Sequence, residues 1–276
     1  MSATESIAST DEPPDAGLKL VLPGKAESAG DGWTWIAQGW ALFARAPLMW
    51  VISMVIVFVV MIALSLVPII GTLAFQVLQA VIAGGFVVAC RSLEQGDDFD
   101  LEHLFAGFRR RFLPLAIVGL LLLLGWIAII LVFGAFVGFS ILGAFLTGDP
   151  EAMMASMMAS VGVIMIGTLV AVGLSVPLMA AYWFAPALVM MHDMKPVEAM
   201  KASFFACFRN FVPFIVYGLV MFVALIVAMI PFGLGMLVWV PLAITSTYVA
   251  YRRIFTEEEG AVADPLPSQL PGERGL

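Results

Sequence analysis

The residues in this chain that could do chemistry are few, and they hydrogen-bond rather than react. Gln76 and Gln79 stand three apart, so on one helix face, inside a long uncharged stretch. Thr245, Ser246, Thr247 and Tyr248 cluster inside another. In an apolar setting such groups bond between helices, at about 0.6–2 kcal/mol each, or line a polar groove for a solute. Gln76, Gln79, Thr245 and Thr247 are therefore the candidate polar cluster of the interior. Arg45, Arg109, Arg110, Arg111, Arg209 and Arg252 are the second set, each at the border of a long apolar stretch or beside one. Cations in that position suit anionic lipid headgroups, or a protein partner at the cytoplasmic face.

Reactive constellations do not occur. There is no nucleophile–base pairing, phosphate-binding loop or zinc-type spacing. His103 and His192 lie far apart, and the acids around His103 (Asp97, Asp98, Asp100, Glu102) read as a solvated helix start. Met153, Met154, Met157 and Met158 carry thioethers of the kind that ligate Cu(I). No His or Cys joins them, and they fit an apolar helix surface equally well. The chain thus reads as non-enzymatic, with no metal and no cofactor, and with no nucleic-acid partner. Cys90 and Cys207 cannot make a disulfide framework and are expected to stay reduced at cytoplasmic helix ends.

What positions these residues is a set of membrane helices. Four stretches carry no Asp, Glu, Lys, Arg or His: residues 46–90, 112–148, 152–191 and 210–251. Hydrophobic residues make up 62% and charged ones 12%, against roughly 45–50% and 25% for soluble domains. A crossing helix needs about 20 apolar residues. The expected fold is an all-α polytopic bundle of six spans with short amphipathic helices at the interface. The spans fall near residues 48–68, 70–90, 113–137, 158–182, 212–231 and 234–252. Apolar Pro/Gly turns at 66–71 and 231–235 divide the first and last stretches. Each middle stretch is either one long helix or hides a further short crossing, which would make eight spans. Residues 1–30 and 256–276, rich in Pro, Gly, Ser and acids, read as disordered tails. No cleavable leader is visible, so the first span is expected to act as the insertion signal.

All 13 Lys and Arg residues lie before, between or after the four stretches, never in the two Pro/Gly turns. The remaining connection, Asp149-Pro150-Glu151, is acidic. Lys/Arg placement sets orientation, so both termini and the basic connections are expected in the cytoplasm and Asp149/Glu151 outside. Apart from Arg252 at the very end of the last, the spans hold no ionisable Asp, Glu, Lys, Arg or His, which argues against a proton-coupled pump.

The chain repeats itself. Arg45, Pro68 and Arg91 are spaced like Arg209, Pro231 and Arg252, and Val88-Ala89-Cys90-Arg91 matches Val249-Ala250-Tyr251-Arg252. A third, partial copy starts at Phe108-Arg109, which echoes Phe208-Arg209. Each copy is a short helix followed by a hairpin, and the copies are parallel. The short helices (31–45, 100–111, 196–209) show apolar stripes at period 3.6. The stripes are Trp33/Ile36/Trp40/Phe43, Leu101/Leu104/Phe105/Phe108/Phe112 and Val197/Met200/Phe204/Phe208/Phe211. Asp31 and Asp100 are expected N-caps, and Pro196 suits a first helical position. Gly134, Gly138, Gly143 and Ala144 on one side of the acidic loop, and Ala155, Ser156, Ala159, Ser160 and Gly162 on the other, are expected to let spans three and four pack closely. Homodimerisation through the same face is the alternative. Trp126, Tyr182, Trp183, Phe184, Tyr217 and Trp239 read as interfacial or packing aromatics.

The segments Gly39-Trp40-Ala41-Leu42-Phe43, Leu104-Phe105-Ala106-Gly107-Phe108-Arg109, Trp183-Phe184-Ala185-Pro186-Ala187-Leu188-Val189 and Tyr251-Arg252-Arg253-Ile254-Phe255 resemble a proteobacterial family of six-helix inner-membrane proteins of unknown function. More loosely, the chain is similar to the membrane domain found beside glycerophosphodiester phosphodiesterases. The resemblance implies six helices and the bacterial inner membrane, and it carries over no catalytic residue. The expected role is envelope or lipid organisation, or partner binding. The alternative is a permease for a small or lipid-like solute.

Overall fold

A computed structural model of the chain describes residues 18–146 and 150–258; the side chains of 140, 141, 143–159 and 258 fall outside that description. The first short helix, α1 (Asp31–Arg45), is followed by the hairpin of α2 (Pro47–Ser65) and α3 (Ile70–Gln95). A 3-10 turn at Leu101–Phe105 leads through α4 (Ala106–Arg110) into α5 (Phe112–Leu146) and α6 (Pro150–Trp183). After α7 (Ala185–His192) and α8 (Pro196–Arg209), the chain closes with the hairpin of α9 (Phe211–Met229) and α10 (Met236–Phe255). Among the described residues, five stretches are long and apolar enough to cross a membrane: Pro47–Ser65, Ile70–Gln95, Phe112–Phe139, Ser160–His192 and Phe211–Met229. Their outer faces carry large exposed apolar side chains such as Phe58, Leu131, Leu169 and Phe222, a surface that only hydrocarbon can cover cheaply. The protein is an all-α membrane bundle. The sixth expected span, α10, is helical but less apolar, since it holds Thr245, Ser246, Thr247 and two arginines in its last turn. Neither middle helix is broken between Phe112 and Leu146 or between Pro150 and Trp183, which leaves no reversal there for an extra short crossing.

The three short-helix-plus-hairpin units form a closed ring. Each short segment packs on the hairpin of the preceding unit rather than on its own. The first, α1, lies on α10 and α9; the turn and α4 lie on α3; α8 lies on α6 and α5. Small residues allow this close approach. A Cβ added at Gly39 would sit 2.7 Å from the Ser246 backbone, and one at Gly107 would sit 2.1 Å from the Val81 carbonyl. Ser246 and Gly85 occupy equivalent places in the repeat, six residues before Arg252 and Arg91. Gly85 is likewise met by a short segment, at the Leu104 carbonyl. The repeat read from arginine spacing therefore marks the site where one unit seats on the next.

The expected stripes divide in α1 and in the 3-10 turn, where Ile36, Phe43 and Leu104 are buried, while most of their bulky aromatics face outward, as helices lying in the headgroup layer require. In α1 the buried face is Gly32, Trp35, Ile36, Gly39, Leu42 and Phe43, while Trp33 and Trp40 are 58% and 50% exposed. In α8 it is Ala199, Ser203, Ala206 and Cys207, and Val197, Phe205 and Phe208 face outward, with Phe211 exposed just beyond the helix. Phe105, Phe108 and Phe112 also point out. The physical reason is that lipid tails are as apolar as a protein interior. Small residues then go where backbones must meet, and bulky ones go to lipid.

Other expectations need correction. Asp31 is not a cap but the first residue of α1, where its carboxylate accepts from Ser28 N and Oγ. Asp100 does cap, accepting from Glu102 N while its own N–H donates to His103 Nδ1. Within the expected N-terminal tail, residues 18–30 are packed. Leu18–Leu20 (β1) pairs antiparallel with Thr256–Glu258 (β2), Lys25 N donates to the Ile254 carbonyl, and Asn210 Nδ2 donates to the Lys25 carbonyl. The α3 helix runs past Arg91 to Gly96, whose φ of 91° ends it in the left-handed region that glycine adopts freely. The long helices α5 and α6 pack through Gly125 on Leu178 and Gly167 on Phe136, whereas among the described residues nothing lies within contact of a Cβ placed at Gly134, Gly138 or Gly162. The side chains of Gly143, Ala144, Ala155, Ser156, Ala159, the four methionines at 153–158 and Glu151, and the whole of Asp149, lie outside the described residues.

Candidate functional site

Inside the ring is a cavity of about 790 Å³ walled by α2, α3, α6, α7, α9 and α10. Ligand sites run to roughly 300–1,000 Å³. The wall is apolar, built from side chains such as Met54, Phe86, Met179, Phe214 and Ile244. Gly218 and Phe222 line it and are themselves exposed, so they stand at its mouth on the α9 side.

The polar groups that reach the cavity are mostly paired with protein. The hydroxyl of Tyr217 bonds to Ser246 Oγ at 3.0 Å, and Trp239 Nε1 donates to the Met221 carbonyl at 2.9 Å. Tyr248 O–H donates to Glu94 Oε2 at 2.6 Å. The Gln79 carboxamide lines the cavity and makes no hydrogen bond with any described residue, as is also true of the Tyr182 hydroxyl and Trp183 Nε1. Of the expected cluster, the structure brings Gln79 and Thr247 to this one cavity, but at different depths. Gln79 stands about 18 Å along α3 from Arg91, and Thr247 about 8 Å along α10 from Arg252, at about 1.5 Å per residue. Gln76 is half-buried and does not line the cavity, and Thr245 Oγ1 is buried and donates to the Pro241 and Leu242 carbonyls.

At the basic end of the bundle, Glu94, which the linear pattern did not single out, gathers charges. Its carboxylate accepts from Arg252 Nε at 3.0 and 2.9 Å, from Arg91 at 3.0 Å and from Tyr248. Its signal in the sequence was position, one turn beyond Arg91 on a helix that continues to Gly96. A second cavity of about 360 Å³ lies beside it, lined by Arg45, Arg252, Arg253, Gln38 and Glu94. Arg45 donates to the Leu93 carbonyl, and Arg253 bonds to Glu27 at 3.0 Å and Asp31 at 2.6 Å. Ser28's hydroxyl above all, helped by Arg253, holds the Asp31 carboxyl below the usual carboxylate range. The other candidate arginines stay apart from this pair. Arg109 bonds to Glu102 on the surface, Arg110 is exposed, Arg111 pairs with Asp193, and Arg209 donates to the Gly24 carbonyl. Burial pushes the Cys207 thiol up to about 12, leaving it protonated and unreactive. His192 bonds to Tyr251 at 2.7 Å, far from His103.

No family model matches the chain, and no solved structure matches it. Among curated proteins it is similar to a probable inner membrane protein of Burkholderia thailandensis, 31% identical over 262 residues, which cover 88% of this chain and 96% of the relative. At that identity and coverage, a membrane bundle with these apolar helices belongs to the same family as that probable inner membrane protein.

Proposed function

We propose that this is a non-enzymatic inner-membrane protein that holds a lipid-like molecule inside its helix ring, in the service of envelope or lipid organisation. The observation that carries the reading is the 790 Å³ apolar cavity with its mouth at Gly218 and Phe222. Burying hydrocarbon there contributes little beyond what the bilayer already offers. Selectivity must therefore come from shape and from the few polar groups. We read six crossings, with α10 the last; the gathering of arginines at one end supports an even number and both termini in the cytoplasm. The aromatic faces of α1, α4 and α8 point outward beside those arginines, an arrangement suited to the inner headgroup layer.

The test is extraction of the purified full-length protein with organic solvent and mass spectrometry of what co-purifies. A defined lipid retained by the wild type and lost from Gly218→Phe supports the reading. Bulk lipid composition in both samples counts against it. In parallel, a cysteine at Arg109 that is labelled from the periplasm in intact cells would overturn the orientation.

A second reading is favoured by Gln79 and Thr247 lining one cavity: a permease for a lipid-like solute. Flux in proteoliposomes unchanged by Gln79→Ala counts against it. Neutralising Arg109–Arg111 tests the partner or headgroup role of those residues, since association should weaken while insertion survives.

A further inference from the structure

We propose that the cavity takes a long-chain amphiphile whose polar group is uncharged, an ester or an alcohol, with the Gln79 carboxamide as its hydrogen-bonding partner. This rests on the reading that the cavity holds a lipid-like molecule. Gln79 carries two N–H donors and a carbonyl acceptor, and none is used by a described residue. Its neighbours along the wall, Phe75, Ile82 and Ala83, offer nothing polar in their side chains. An amide that no protein group meets, at hydrocarbon depth, costs free energy unless something else bonds it, so its place on the cavity wall points to a partner that the ligand supplies.

Depth decides the class of that partner. At about 18 Å along α3 from Arg91, Gln79 lies near the middle of a hydrocarbon core of about 30 Å. A phospholipid lying in the leaflet keeps its phosphate at the interface and would bring only its chains to Gln79. Among the described residues no Asp, Glu, Lys, Arg or His lines the cavity, and Glu94 and Arg252 stand behind the Tyr248 hydroxyl at the basic end. A carboxylate or phosphate drawn up to Gln79 would have no counter-charge, and burying it would be prohibitive. A neutral carbonyl or hydroxyl fits both the depth and the group.

The experiment uses the full-length protein in detergent-stabilised form and three probes of matched chain length: 9,10-dibromostearoyl glycerol, 9,10-dibromooctadecane and 9,10-dibromostearate at pH 8. The readout is quenching of tryptophan fluorescence, since Trp183 and Trp239 line the cavity. Quenching that persists in Gly218→Phe is subtracted as surface contact. In the wild type the glycerol ester should half-saturate at about fivefold lower concentration than the alkane or the stearate, the equivalent of one hydrogen bond of about 1 kcal/mol. Gln79→Met, which keeps the side chain's shape and loses the amide, should abolish that preference and leave alkane quenching unchanged. Equal half-saturation for ester and alkane in the wild type, a preference for stearate, or an ester preference that survives Gln79→Met overturns the proposal. If Gln79→Met loses the alkane component, Gln79→Leu replaces it under the same criteria. If no probe gives a saturable component in the wild type, the lipid-holding reading itself fails.

Discussion

The ring closes where α1 meets α10, and Gly39 is the residue that lets it close. A Cβ built there would lie 2.7 Å from both Cα and N of Ser246. Relaxed carbon contacts stand at about 3.5–4.0 Å, so Gly39→Ala must push the two helices apart by about 1 Å. The obstacle is main chain, so no rotamer change relieves it. Overpacking of this kind costs about 1–3 kcal/mol, only partly offset by the roughly 1 kcal/mol that alanine gains over glycine inside a helix. The net expectation is a loss of up to about 2 kcal/mol. At roughly 2–4 °C per kcal/mol for a chain of this size, the apparent Tm in detergent should fall by up to about 8 °C. Gly134→Ala is the control, because a Cβ there meets nothing within 4 Å; helix propensity alone acts, and Tm should hold or rise. Scanning fluorimetry at one scan rate compares both variants with the wild type. If Gly39→Ala matches or exceeds Gly134→Ala in Tm, the inter-unit contact is not what closes the ring.

Three further outcomes follow from named contacts. Glu94→Gln removes the charge shared by Arg91, Arg252 and Tyr248 and should destabilise by about 1.5–3 kcal/mol, whereas Glu102→Gln, in an exposed pair with Arg109, should stay within about 1 kcal/mol; thermal scans of the two variants make the comparison. Asn210 is buried and joins Lys25, Glu27 and Ala206, so Asn210→Ala should cost about 1–3 kcal/mol and raise amide exchange across residues 18–30 far more than in the spans. His103 is held below its usual pKa mainly by burial, and its Nδ1 accepts from Asp100 N–H only while unprotonated. The unfolded segment thus binds the proton more readily, and stability of the cap is lost as pH falls below about 6.5. Hydrogen exchange at 100–105 should rise between pH 7.5 and 5.5, and His103→Gln should flatten that dependence.

Charge-free stretches were enough to foresee helices, and the bounds of α1 and α8 coincide with the short helices expected at 31–45 and 196–209. That the bulky aromatics of these helices suit the headgroup layer was legible; which residues seat on the neighbouring unit was not. Period 3.6 finds a stripe of Trp and Phe, but with lipid outside, apolarity no longer separates inside from outside. The small residues Gly32, Gly39, Ser203 and Ala206 were the better guide, since only close backbone contact rewards them. Gln79 was visible as a polar residue in an apolar run. Its isolation from Thr247 was not, because depth depends on helix register at the basic end. Glu94 was hidden among the acids Asp97, Asp98 and Asp100, since nothing local shows that α3 extends one turn beyond Arg91.

Because α1 rests on α9 and α10, a helix made early is seated by helices made much later. Some 210 residues separate Arg45 from Phe255, and at about 5–20 residues per second their synthesis takes about 10–40 s. Throughout that interval the nascent chain must carry α1 undocked, its glycine face open to whatever the insertion machinery or a chaperone presents. Premature stop codons before α9 would leave this face uncovered for good, marking truncated products for quality control while the finished polypeptide conceals the same signal.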